Sequence, residues 1–190
     1  MTSVRSCQIS EEQTEIARKL SERQDKIILL PTFGETHNIR LRAVQADQAL
    51  QHGLLLVPSS VSPTPYEIRE GGTIYGVGAL DIDIRKLIEG RVTVAPDEVA
   101  VGELHIPVYL VSYYTVGGDP FLDISMYRLS AIYTVQPRSF VSSITFKDLA
   151  FLDRLNLLEG FEHQPDIEYL VEQLDSTFAP VLQSRTAGAQ

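Results

Sequence analysis

Residues Glu103 to Val116 read ELHIPVYLVSYYTV, and this stretch decides the fold. Side chains alternate across a strand, so Leu104, Ile106, Val108, Leu110, Ser112, Tyr114 and Val116 share one side, while His105, Pro107, Tyr109, Val111, Tyr113 and Thr115 share the other. Neither side carries a charge after Glu103. A strand apolar on both faces has to be covered on both, by helices, a second sheet or a neighbouring subunit. Tyr109 and Tyr113, with Tyr127 and Tyr133 further on, are the natural contact residues of such a surface, because tyrosine joins apolar area to one polar handle.

Downstream, Phe121 to Val135 is a second strand. Its apolar residues start as Leu122, Ile124 and Met126, then move one position out of phase to Tyr127, Leu129, Ala131, Tyr133 and Val135. A bulge near Met126 to Arg128 would keep both sets on one core. Gly117-Gly118-Asp119-Pro120 suits a four-residue hairpin loop between the two strands. Upstream, Thr73 to Ile84 alternates with Ile74, Leu80, Ile82 and Ile84 on the even side, so it reads as a strand whose Asp81 and Asp83 point away from the core. Further short strands are expected at Lys26–Leu30, Asn38–Val44, Leu54–Val57, Tyr66–Arg69 and Arg91–Val94, with helical turns at Ala46–Gln51 and Ile84–Ile88.

Helices flank this β-rich middle. Ser10 before Glu11, Glu12 and Gln13 is a capping box that opens an N-terminal helix to about Gln24, with a thin apolar stripe of Ile16, Ala17 and Leu20. Thr145 is placed to cap a helix that stops at Gly160, and Pro165 opens another, with Ile167, Leu170, Val171, Leu174 and Phe178 on one stripe and Pro180 at its close. The expectation is an α+β fold in one domain over residues 1–182. A mainly antiparallel sheet, sandwich-like in one variant, carries the N-terminal helix and two C-terminal helices packed on it, and a disordered tail spans residues 183–190.

The 190 residues are 44% hydrophobic and 22% charged, with a net charge of −9. Phosphate backbones and anionic lipid therefore meet repulsion, which speaks against nucleic-acid or membrane partners. The acid collects toward the C-terminus, where it makes either a solvated helix face or a docking surface for a basic partner. Cys7 is the only cysteine, so no intrachain disulfide forms. The chain starts without the apolar run of a secretory signal, and no stretch approaches the roughly 18 residues of a membrane span. The cytoplasm, or a virus or phage particle assembled there, is the expected location.

Chemistry is sparse. His37, His52, His105 and His163 stand in no paired metal spacing. Asp81 with Asp83, and Glu103 with His105, lie two apart on their strands, so the four would converge on Mg²⁺ or Mn²⁺ if those strands were neighbours; otherwise they form a wet outer face. The glycine-rich run from Gly71 to Gly78 reads as leading into a strand, whereas a phosphate cradle needs a helix there. Glu35 and His37 make a polar loop. No Walker lysine, GxSxG elbow or Cys/His pair is present, and no cofactor is expected. The preferred function is a non-catalytic binding or assembly protein that self-associates or docks a protein partner through apolar β-surface. The alternatives are an acidic cytoplasmic chaperone for apolar client segments, and a divalent-metal-dependent hydrolase built on Asp81, Asp83, Glu103 and His105.

Overall fold

The computed structural model describes residues 26–34, 38–137, 140–155 and 166–186, the side chains of 179–186 aside. In chain order the elements are β1 (Leu29–Phe33), β2 (Ile39–Ala43), β3 (Gln48–Leu56), β4 (Tyr66–Ile68), a 3-10 turn (Glu70–Gly72), α1 (Val77–Glu89), β5 (Ala100–Val116), β6 (Asp119–Gln136), β7 (Phe140–Arg154) and α2 (Ile167–Thr186). The fold is α+β: a five-stranded antiparallel sheet ordered β4-β3-β5-β6-β7, a separate β1–β2 pair, and two helices. The predicted N-terminal helix, the Glu35 and His37 loop and the expected helix end at Gly160 lie outside the described residues.

The ribbon that dominates the sequence dominates the structure. β5 pairs with β6 without a register break from Ala100↔Val135 to Val116↔Asp119. The turn is tighter than expected: Gly117 and Gly118 alone form it, both at positive φ (60° and 103°). Two consecutive left-handed positions match the twist of a two-residue hairpin loop, and glycine adopts them without a Cβ penalty.

This chain itself covers the inner face of the ribbon and the Tyr109–Val111 end of its outer face. On the inner face Leu104, Ile106, Val108, Leu110, Tyr127, Leu129 and Val135 join a core with Leu29, Ile39 and Leu41 of the β1–β2 pair, with Ile27 just before it, and with α1. The buried residues of α1 are Val77, Leu80, Asp81, Ile84, Leu87 and Ile88. Their spacing is a helical stripe, and it replaces the strand predicted over Thr73 to Ile84. On the outer face Leu56, Tyr109, Val111 and Ile124 pack beneath Leu170 and Leu174 of α2.

The phase change in β6 has a different cause from the one expected. Because its register with β5 is continuous, β6 contains no extra residue against that strand. Leu122, Ile124 and Met126 belong to the outer core under α2, whereas Tyr127, Leu129, Ala131 and Val135 belong to the inner core. The two sets serve two faces.

β7 stands where a helix from Thr145 was expected. Its pairing with β6 shifts at three places and leaves Ser142, Lys147 and Leu152 without a partner rung. Each bulge adds one residue to the alternation, so the buried positions become Val141, Ile144, Phe146 and Leu149. Spacings of three and two imitate a helical stripe in the bare sequence. Near one end of this edge strand, Arg85 of α1 donates to the Val141 carbonyl and Glu89 accepts from the Val141 amide at 3.1 Å, so two exposed ladder groups are satisfied. At the other end Arg154 donates to the Ile27 carbonyl and lies 2.6 Å from Asp123.

Three smaller expectations also change. Ala46–Gln51 leads into β3 instead of forming a helical turn, and Arg91–Val94 is irregular. The last helix is capped by Asp166, which accepts from the Tyr169 amide at 3.1 Å, and it continues through Pro180 to Thr186. The expected tail at 183–190 therefore begins inside that helix, and residues 187–190 lie outside the described ones.

Candidate functional site

Through Leu170 and Leu174, among the described side chains, α2 covers the part of the outer sheet face built from Leu56, Tyr109, Val111 and Ile124. The β5–β6–β7 register defines what lies on the rest. Glu103 stands opposite Ile132 and Thr145, His105 opposite Ser130 and Asp148, and Pro107 opposite Arg128 and Ala150. Val101 stands opposite Thr134 and Ser143 in the same way. Among large apolar side chains here, Val101 is 70% exposed, Phe140 61% and Ile132 38%. Mixed with them are Arg128, Glu103 and Asp148, all exposed.

His105 is the organising polar group of this area. Its Nδ1 lies 3.0 Å from Ser130 Oγ, and its Nε2 lies 3.5 Å from Glu103 Oε1. Ser130 is buried at 4% exposure, so the imidazole satisfies a hydroxyl that water does not reach. Sequence reasoning paired Glu103 with His105 and missed Ser130. Only the hairpin register, which sets His105 against Ser130 across 25 residues, reveals it.

The other half of the proposed metal set is elsewhere. Asp81 and Asp83 are on α1, which packs on the inner face, while Glu103 and His105 alternate away from Leu104 and Ile106 onto the outer face. Asp81 pairs with Arg85 at 3.1 Å, and Asp83 accepts from the Tyr66 hydroxyl at 2.9 Å and lies 3.6 Å from Lys86. Burial, together with the Asp83 carboxylate, pushes the Tyr66 hydroxyl up to about 12. The four residues do not converge, and among the described residues no group of three or more His, Cys, Asp and Glu side chains is arranged to hold a metal.

Of the four tyrosines predicted as contact residues, Tyr109 and Tyr127 are interior and Tyr113 and Tyr133 are half-buried. Tyr127 is 1% exposed, and its hydroxyl accepts from the Leu29 amide at 3.1 Å, which ties β1 to the sheet. Tyr109 is buried under α2, and burial raises its hydroxyl pKa, as it does for Tyr127. Tyr113 is half-buried and stacks on His52 with ring centroids 4.4 Å apart. Tyr133 is half-buried over Gly102, whose missing Cβ leaves room for the ring. Tyr109 and Tyr127 are thus corrected from contact residues to core residues: the chain's own elements cover them.

Beside Tyr127 sits a buried polar cluster. Ser125 donates to Asp123, and Arg154 Nε meets Asp123 as a close charge contact without the alignment of a hydrogen bond. Burial raises the Asp123 pKa, against the lowering pull of Ser125, Arg154 and Lys26. Among the described residues no helix is long and apolar enough to cross a membrane. No protein-family model matches the chain, and neither the curated proteins nor the solved structures compared with it give a match.

Proposed function

We propose that this chain is a non-catalytic assembly protein that self-associates through the part of the outer sheet face that α2 leaves uncovered. The observation that carries the reading is the exposure of Val101, Ile132 and Phe140 on the same sheet surface that is sealed elsewhere by a helix. Exposed apolar side chains grouped on one surface mark a contact site, whereas scattered ones need no explanation. A second copy is the occupant because the face carries both signs, Arg128 against Glu103 and Asp148, and so has something to offer a copy of itself.

The test is sedimentation velocity of the full chain over a concentration series, alongside Ile132→Arg. The reading expects a concentration-dependent oligomer that Ile132→Arg shifts to monomer while circular dichroism shows the fold intact. A wild-type chain that stays monomeric at every concentration sinks it. So does an oligomer indifferent to Ile132→Arg.

A further inference from the structure

Charge is sorted between the two layers that clothe the sheet. The β1–β2 pair lies on the inner side, with Leu29, Ile39 and Leu41 turned into the core beside Ile27. Its other side presents Ile28 (40% exposed), Leu30 (48%), Arg40 and Arg42, and Leu30 stands directly across from Arg42. The sequence from Lys26 to Val44 holds Lys26, Arg40 and Arg42 against a single acid, Glu35. The layer on the opposite side is the reverse. With Leu170 and Leu174 facing the sheet, α2 exposes Glu168 and Glu172, and Ile167 to Phe178 contains no Lys or Arg. Tyr169, 53% exposed, lies between those two acids.

In a chain of net charge −9 this separation puts a basic, partly apolar strand pair and an acidic helix on opposite sides of one sheet. We propose that the β1–β2 outer face docks the α2 face of a second copy, head to tail. The contact is heterologous: each copy keeps one free basic layer and one free acidic layer, so association continues into a ring or a filament. The overall charge of each copy opposes approach, so the attraction between the two layers acts at short range, and Ile28, Leu30 and Tyr169 supply apolar contact once they meet. The inference rests on the reading that the chain self-associates, but it uses a different surface from the one around Ile132.

Sedimentation velocity of the full chain at about 0.05 M and about 0.5 M salt tests it, because screening of exposed charges rises steeply over that range. Three variants accompany the wild type: Arg42→Glu, Glu172→Lys and the combined R42E/E172K chain. All alter exposed positions, and circular dichroism checks that each stays folded. The expected result is an association constant that falls about tenfold at high salt and about tenfold with either single reversal at low salt, and recovers in the combined chain. Association indifferent to salt, or single reversals without effect, overturns the proposal. If Ile132→Arg still dissociates that salt-indifferent oligomer, the reading through the outer sheet face stands and only the head-to-tail contact fails. Single reversals that weaken association without recovery in the combined chain also overturn it, since the two layers then do not meet.

Discussion

Three glycines separate backbone strain from steric overlap, and substituting each by alanine tests the packing between the 3-10 turn and β2. At Gly71, φ is +78° and the nearest atom to an added Cβ is Arg40 Nη2 at 3.5 Å, so the substitution meets strain alone. Gly53 has no positive φ, but its Cβ would lie 2.3 Å from the Val111 carbonyl oxygen, so it meets overlap alone. Gly72 meets both: φ is +79°, and the Cβ would lie 1.9 Å from the Leu41 carbonyl oxygen and 2.8 Å from its carbon. Left-handed backbone costs a residue with a Cβ roughly 1 kcal/mol. Forcing backbone apart in a close-packed region adds roughly 1 to 3 kcal/mol. The expected losses are about 1 kcal/mol for Gly71→Ala, about 2 for Gly53→Ala and about 3 to 4 for Gly72→Ala. Urea unfolding followed by circular dichroism reads the series, with an unchanged m-value marking a pure stability effect. If Gly72→Ala falls within about 0.5 kcal/mol of Gly71→Ala, the Leu41 contact carries no weight and the docking of β2 on the turn is misassigned.

Three further outcomes concern the cores and the buried ionisable groups. Leu174→Ala, at a position 0% exposed under the outer cluster, should cost about 3 kcal/mol in urea unfolding, and a loss under about 1 would mean that α2 is not seated on Tyr109 and Val111. Asp123 holds its proton more tightly folded than unfolded, so its share of stability is full below the ordinary carboxylate range and is lost as pH rises through its raised folded value. Asp123→Asn should remove that dependence in chemical unfolding followed across the acid range, and a wild-type chain gaining stability over that window relative to the variant would contradict the sign. Tyr66 is pushed up to about 12, so its share of stability is present below the ordinary phenol pKa near 10 and is lost as pH rises from there toward 12. Phenolate absorbance and alkaline unfolding should show a late-titrating tyrosine that is absent in Tyr66→Phe; identical titrations of the two chains would exclude it.

The central ribbon was legible because Glu103 to Val116 lacks charge on both sides, and that property belongs to a single segment. Its consequence, cover on both faces, holds for the Tyr109–Val111 end, where the β1–β2 pair and α1 lie on one side and Leu170 and Leu174 of α2 on the other, and not for the outer face around Glu103. The stripe of α2 at Leu170, Leu174 and Phe178 was legible for the same reason: all three are buried, and a helix displays its period within its own length. Two elements exchanged identities. Thr73 to Ile84 alternates by composition yet forms the end of the turn region and much of α1, and the segment from Thr145 offers a helix cap while bulges at Ser142 and Lys147 take its buried positions out of simple alternation. A bulge is defined against a partner strand, so no reading of β7 alone finds it.

The candidate site divides along the same line. Glu103 and His105 share a side of β5 by simple alternation, and that much needs one strand. Ser130 enters through the register of the hairpin, and Asp81 and Asp83 leave because their segment coils into a helix on the other side of the sheet. Local periodicity sets which side chains of a segment travel together, since that depends on backbone geometry within the segment. Which segments meet, on which face and in which rung, depends on burying apolar area contributed from distant parts of the chain, and only the packed molecule settles that.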